Sequence, residues 1–420
     1  MSRRANDVDG EELHGLLREV VEALAPIDRT PCSPGERQAA EWLAARLSSV
    51  GGVDVALEDE TSWGTFPPTS TGLGLLAVIA AALALSGRRL AGGLLAAATI
   101  AGIVDEAQNG PRILRRIVRR ARSTVNVIAR SGDQGDGDGH STLVVLAHHD
   151  APQTGVIFGQ GLQRRLHELA PKVIERGHTS LPQWWVGLAG PLCTIASAVA
   201  RRRGYARAGL ALGVLAAVAV ADVWRSRTVP GANDNLSGVA ALVALAELLR
   251  QRPIPGLRIL LVSCGAEESL QDGVRGFVAR HRHELVPQRT AFVNLETVGS
   301  PHLAMLEGEG PVWMELYRGP WLRDRLAALA SRLEIPLQRG FRARASTDSV
   351  IPSRAGYPTA TFFSLTDWRT LANYHLPSDV PENLDYGTVA DATRLVYELA
   401  RTLAEPLGAR EPTPASAPPP

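Results

Sequence analysis

Charge of one sign is missing from this sequence. Lys and Arg number 44 and Asp and Glu 43, so the 420-residue chain has a formal net charge of +1, and no global field argues for nucleic acid or an acidic polymer as partner. Cysteine is scarce too. Cys32, Cys193 and Cys264 are odd in number and widely scattered, which excludes a disulfide framework and a CxxC-type metal site and suits a reducing compartment. The opening "MSRRANDVDGEELHGLLREVVEAL" turns acidic after two arginines and lacks an apolar stretch and a cleavage signal, so no secretory signal peptide is expected. Nor does any apolar run reach the roughly 20 residues that an untilted membrane span requires.

Shorter apolar runs are present, in two pairs. "TGLGLLAVIAAALALS" and "LAGGLLAAATIAGIV" flank the break "GRR", and "WWVGLAGPLCTIASAVA" and "AGLALGVLAAVAVADVW" flank "RRRGYAR"; each run has 15 to 17 residues. Such lengths leave open Ala- and Gly-rich helices of a soluble core. Apolar character right round each helix, and Trp184, Trp185 and Trp224 at the run ends, favour two membrane hairpins whose small residues let the spans pack closely. Each hairpin goes out and returns, so the soluble segments stay on one side. No run has an ionisable residue near its middle, which argues against a transporter.

Between the pairs, "PRILRRIVRRAR" puts Ile113, Leu114, Ile117, Val118 and Ala121 on one helical face and arginines on the others. Directly after an apolar run, it reads as an interfacial helix facing anionic lipid. Arg88, Arg89, Arg201 to Arg203 and Arg207 decorate the opposite turns, and the Arg112 to Arg122 cluster tips the soluble part to the cytoplasmic side.

Residues 11 to 24 and 36 to 48 carry helical apolar spacing, and "VDVALEDE" is strand-like. From 231 onward strands alternate with helices: helix 236 to 250, "LRILLVSC", helix 273 to 285, "TAFVNLE", helix 321 to 333, "TATFFSL" and helix 387 to 404. The pattern predicts an α/β three-layer sandwich on a mixed, mainly parallel central sheet.

Ligands gather at the carboxyl ends of strands in such sheets, and here those ends are rich in metal-type side chains. "LVVLAHHD" ends on His148 and Asp150 on one side and His149 on the other; Asp150 suits a carboxylate that fixes the tautomer of His148. In "PGANDNLSG" Asp234 could simply be the N-cap of the next helix. "LLVSCGAEES" sets Glu267 and Glu268 side by side, where they repel unless a cation or a shifted pKa relieves them. "FVNLETVG" ends on Glu296, and "NYHLPSD" places His375 after another strand. Each residue alone is compatible with surface structure. Together they form a nitrogen and oxygen set suited to zinc, with oxygens available to bridge a second ion.

The ordered series "NVIAR…VVLAHHD", "PGANDNLSGVAAL", "GAEES", "FVNLETVG", "STDSVIPSRAGYPTATF" and "YHLPSDVPENLD" resembles the co-catalytic zinc aminopeptidases of metallopeptidase family twenty-eight, whose members include relatives of glutamate carboxypeptidase and glutaminyl cyclase. The resemblance implies two zinc ions per chain. His148 and Glu296 would hold one, Glu268 and His375 the other, and Asp234 would bridge them. Glu267 resembles the general base acting on a metal-bridging water, and Tyr374 matches a tyrosine that steadies the oxyanion in some relatives. His149 and Asp348 take structural or pocket-lining places. One departure is Glu296, which stands where many relatives have Asp and is one methylene longer.

The implied organisation follows. Residues 1–62, 112–155 and 229–404 form the peptidase domain, 71–104 and 184–224 the hairpins, 156–183 a linker helix and 405–420 a disordered Pro-rich tail. A multi-pass membrane exopeptidase acting on peptides with a free N-terminus is expected, with membrane lipid but no nucleic acid as partner. Two alternatives stay open: glutaminyl-cyclase-like amide chemistry on one zinc, and a non-catalytic membrane-anchored scaffold.

Overall fold

The computed structural model describes residues 2–132, 141–175, 177–180 and 182–404; the tail 405–420 lies outside the described residues. Helices α1 (Ser2–Leu24) and α2 (Pro34–Val50) lead into strand β1 (Asp54–Ser62), followed by α3 (Pro67–Leu85), α4 (Arg89–Ala107) and the short α5 (Ile113–Val118). Strands β2 (Arg122–Gly132) and β3 (Ser141–His148) precede α6 (Gly161–Leu169), α7 (Pro171–Glu175), α8 (Trp185–Ala200), α9 (Arg203–Arg225) and α10 (Ser237–Gln251). The remainder runs β4 (Leu257–Cys264), α11 (Asp272–His281), β5 (Thr290–Leu295), β6 (His302–Glu309), β7 (Glu315–Leu316), α12 (Pro320–Arg332), β8 (Gln338–Ala343), α13 (Val350–Arg354), β9 (Thr359–Leu365) and α14 (Tyr386–Ala404).

The strands form one mixed sheet in the order β1-β2-β4-β3-β5-β9-β6-β7, with β8 beside β6. Its centre, β4-β3-β5-β9, is parallel; β1, β2 and the β6 pairings with β7 and β9 are antiparallel. The central strands read as unbroken apolar runs because both faces are covered. One face packs Val145, Leu261 and Val293 under α1, α2, α10, α12 and α14; the other packs Val144, Leu260 and Phe292 under α11 and α13. The sandwich therefore has three layers. Strands β6, β7 and β8, absent from the sequence reading, extend the sheet on one side.

Helices α3, α4, α8 and α9 pack on one another as a four-helix bundle. Their lengths are 19, 19, 16 and 23 residues, longer than most of the apolar runs because polar flanks such as Pro67–Ser70 and Arg203–Arg207 join the helices. At 1.5 Å per residue, 19 residues cover about 28 Å, close to a bilayer's hydrocarbon core. By length and composition α3, α4 and α9 are sufficient to cross a membrane, whereas α8 is shorter. Small residues set the spacing: a Cβ on Gly190 would lie 2.9 Å from the backbone nitrogen of Gly213. Leu75, Ile79, Leu94, Leu215 and Val218 point outward from the bundle.

Two corrections concern the connecting segments. The helix in "PRILRRIVRRAR" spans only Ile113–Val118, and two arginines of the segment, one just before the helix and one within it, face inward. Arg112 pairs with Asp272, and Arg115 pairs with Glu106 of α4 and donates to the carbonyl of Ser269. Because a buried charge must be paired, these arginines bolt the end of α4 to the turn after β4. Second, the linker 156–183 is not one helix but a short turn at Val156–Phe158, then α6 and α7.

Candidate metal centre

Parallel neighbours end on the same edge of a sheet, so the polar groups that close β4, β3 and β5 converge. His148 is the last residue of β3; Glu267 and Glu268 follow β4 by three and four residues; Glu296 follows β5 directly. Asp234 comes from the turn before α10 and His375 from the loop after β9. All six are buried or nearly so.

Their ligand atoms have a specific spacing. His148 Nε2 stands 3.3 Å from Asp234 Oδ1 and 3.3 Å from Glu296 Oε1. His375 Nε2 stands 3.2 Å from Asp234 Oδ2 and 3.3 Å from Glu268 Oε1. Ligands held tetrahedrally at 2.0–2.1 Å from zinc are about 3.3 Å from each other. Moreover, His375 Nε2 and Asp234 Oδ2 have no hydrogen-bond partner although both are buried; they face each other as ligands do. The two oxygens of Asp234 thus divide between two clusters, His148–Asp234–Glu296 and Asp234–Glu268–His375.

Without a cation the electrostatics are strained in the direction a cation would relieve. Burial, together with Glu296, Glu268 and Asp348, raises the Glu267 carboxyl well above its ordinary value. Burial also raises Glu268. Against burial, which alone would lower them, His148 is raised by Glu296, Asp150 and Asp234, and His375 to about 9 by Glu268 and Asp234. A cation held between these groups would offset the same concentration of buried carboxylates. The donor set therefore fits zinc, with oxygen ligands enough for two ions.

Asp150 does more than fix an imidazole. It lies 3.4 Å from His148 Nδ1, while its two oxygens accept the backbone N–H groups of Glu267 and Glu268 at 3.0 and 2.9 Å. It therefore positions the acidic pair as well as the histidine. The longer Glu296 also fits, steadied by Asn294 Nδ2 at 3.3 Å from Oε2. Tyr374 lies against His375 with ring centroids 3.9 Å apart, and burial and nearby carboxylates raise its hydroxyl well above the ordinary phenol range, so it remains a proton donor. His149 bonds to Ser263 Oγ at 2.9 Å and burial lowers it to about 4, leaving it neutral. Asp348 is buried, and raised to about 8 chiefly by that burial.

The bland alternative for Asp234 fails locally. The carboxamide oxygen of Asn235, not Asp234, accepts the N–H of Gly238 in the first turn of α10. Asp234 is held from behind instead, its backbone N–H donating to Asp379 Oδ2 at 3.1 Å while Asn233 donates to Oδ1 at 2.7 Å.

Several supporting residues carry no local signal. Asp379 closes the quoted "YHLPSD", yet its role is visible only in three dimensions. Arg29, fully buried, donates to the carbonyls of His149 and Pro230. Gln271 donates to Glu267 Oε1 and accepts from Asn109 Nδ2, just past α4. Leu270 and Gln271 have φ of 67° and 64° and His375 of 55°, left-handed conformations that non-glycine residues keep where their surroundings impose them.

Residues 214–400 match Peptidase family M28. No curated protein sequence matches the chain. Among solved structures, the chain is similar to an aminopeptidase from Aneurinibacillus sp. strain AM-1 (14% identity, 94% of each chain covered, TM-score 0.53). It is also similar to a glutaminyl cyclase from Bacteroides thetaiotaomicron bound to N-acetylhistamine (13% identity, 92% of this chain and 97% of that one, TM-score 0.53). A zinc aminopeptidase from Bacillus subtilis has 14% identity over 96% of each chain, with a TM-score of 0.50. At such identities these likenesses speak for the fold.

Proposed function

From the match of residues 214–400 to Peptidase family M28, we propose a membrane-anchored zinc aminopeptidase with two ions per chain. The observation that carries it is the division of the Asp234 oxygens between two histidine-carboxylate clusters, each at ligand spacing. His148 and Glu296 would hold one ion and Glu268 and His375 the other, with Asp234 offering an oxygen to each. When bound, zinc polarises the scissile carbonyl and acidifies water.

The chain's own groups supply the rest. Glu267 takes a proton from the attacking water and returns it to the leaving amine. Asp150 fixes the turn that presents Glu267, and the Tyr374 hydroxyl donates to the oxygen on which charge develops. A narrow crevice lined by Pro31, Phe66, Pro67, Val223, Glu268 and His375 reaches the site. The three span-length helices and the apolar outer faces of the bundle support membrane anchoring.

The test is hydrolysis of aminoacyl p-nitroanilides by detergent-purified, zinc-loaded protein, with N-acetylated counterparts beside them. Cleavage only of the free-amine substrates is expected; equal cleavage of both, or of neither, would overturn the aminopeptidase reading. Ammonia release from N-terminal glutaminyl peptides would replace it with cyclisation.

Gln271 gives a further expected result. Gln271→Leu removes the amide that steadies Glu267, and support of this kind is typically worth about 10–100-fold. We expect kcat to fall by about tenfold at unchanged KM and zinc content; an unchanged kcat would show that Asp150 alone holds the base.

A further inference from the structure

Helix α6 is amphipathic the wrong way round for a soluble protein. Leu162, Leu166 and Leu169 fall within one narrow stripe at helical spacing, and they are 70%, 44% and 83% exposed. Gln163, His167 and Ala170, on the side turned to the protein, are half-buried. A stripe of three exposed leucines beside polar inward residues has no reason to exist facing water.

Its place in the fold says what covers it. The segment leading into α6 is tied to the end of α9, where Val156 N–H donates to Asp222 Oδ2 at 2.8 Å and Gln153 Nε2 to the Trp224 carbonyl at 3.2 Å. From Val156 to Leu162 the chain can reach at most about 20 Å, so α6 starts within that distance of the end of the bundle. That end carries the aromatic residues: Phe66 packs on Trp184 at 5.6 Å, and Trp185 and Trp224 are about half exposed. Val156 and Ile157 are exposed in between. Arg165 and Lys172, exposed beside the stripe, complement anionic head groups.

We propose that α6 lies in the head-group layer of the leaflet entered by the four-helix bundle, with Leu162, Leu166 and Leu169 in the lipid. The proposal rests on the membrane reading of the bundle and moves the interfacial role from "PRILRRIVRRAR" to α6. It has a consequence for the site. Phe158, just before α6, packs on His375 at 4.2 Å, Gln160 Nε2 donates to the Leu371 carbonyl at 2.7 Å, and Arg164 lies over Trp368 at 5.7 Å. The helix therefore rests on the loop that carries His375. The crevice lining includes Phe66 and Pro67 at the start of α3 and Val223 near the end of α9, so the site borders the same end of the bundle. The substrates are peptide N-termini presented at a membrane surface.

The test uses full-length protein, with Cys32 and Cys193 replaced by Ser, in vesicles of phosphatidylcholine and phosphatidylglycerol. Spin labels are placed by Leu166→Cys, Glu168→Cys and, in the bundle, Leu94→Cys. The label at 166 should collide chiefly with oxygen, as should that at 94, while the label at 168 collides chiefly with a water-soluble nickel chelate. A label at 166 as wet as that at 168, with 94 in lipid, overturns the α6 proposal alone; a wet label at 94 overturns the membrane reading with it. For the substrate class, one peptide is supplied with and without a C-terminal acyl anchor. The anchored form should turn over severalfold faster, and the triple Leu→Ser variant of α6 should lose that advantage while keeping the soluble rate. Equal rates on both forms in the unmodified protein would refute the surface-presented substrate, whatever the labels show.

Discussion

Glu267→Gln is expected to lower kcat by about 10³-fold while leaving zinc content at the wild-type level. The magnitude is that of losing a positioned general base. The retention of zinc follows from geometry, since the two clusters joined by Asp234 draw on His148, Glu296, Glu268 and His375 and not on Glu267. Gln is nearly isosteric, and its amide can keep the contact with Gln271 and the backbone bond to Asp150. Burial and the neighbouring carboxylates raise the Glu267 carboxyl, and a carboxylate in such surroundings is a stronger proton acceptor than a solvated one. Turnover of an aminoacyl p-nitroanilide and elemental analysis on the same sample decide the matter. Undiminished kcat removes Glu267 from the chemistry. Loss of zinc makes it a ligand instead, a role for which its proximity to His148 and Glu268 leaves room.

The site was legible in the sequence to the extent that strand ends are. β4 runs over the eight residues of "LRILLVSC" and β9 over "TATFFSL", because buried central strands are continuous apolar blocks with sharp polar ends. Parallel pairing then makes those ends neighbours, so a list of polar groups after strands becomes a list of groups in one cavity. Residues that act from behind gave no such signal. Asp379 and Arg29 work through backbone atoms of distant segments, and Gln271 through a helix end supplied by an insertion. Periodicity misjudged "PRILRRIVRRAR" for the same reason. It finds the apolar face but cannot show that Asp272 and Ser269 fold back to receive Arg112 and Arg115. The apolar runs were measured short because a hydropathy boundary is not a helix boundary: Pro at the first turn of α3 and arginines in the first turns of α9 are helical without being apolar.

Those insertions matter for how the site is held. The end of α4 reaches Glu267 through Asn109 and Gln271, and the turn after β4 through Arg112 and Arg115. The bundle is thus joined to the turn after β4 by buried polar contacts, in which a lost partner is more damaging than on the surface. Detergent or lipid conditions that loosen the bundle should therefore reach Glu267 before they reach the sheet.

Asp234→Ala is expected to strip both metal positions at once. Oδ1 serves the cluster of His148 and Glu296, and Oδ2 that of His375 and Glu268, so one substitution leaves each ion a single histidine and a single carboxylate. Burial alone would raise the Asp234 carboxyl, yet His148 and His375 hold it well below the ordinary range, which marks it as the negative group around which both positive charges are arranged. The fold should survive. Asp379 receives the backbone N–H of residue 234 rather than its side chain, and Asn233 and Asn235 pin the same turn to Gly299, Leu295 and Thr297. Circular dichroism unchanged from wild type checks this. On that background, elemental analysis after dialysis should give about two zinc ions per wild-type chain and well under one in the variant, with turnover lost in parallel. One zinc retained tightly by the variant would show that a cluster stands without the bridge, and the single-zinc chemistry of a cyclase would then be the better reading. No zinc in the wild type, even after it is supplied, would leave the fold as a membrane-anchored scaffold, its buried acids neutralised by protons and by the two imidazoliums alone.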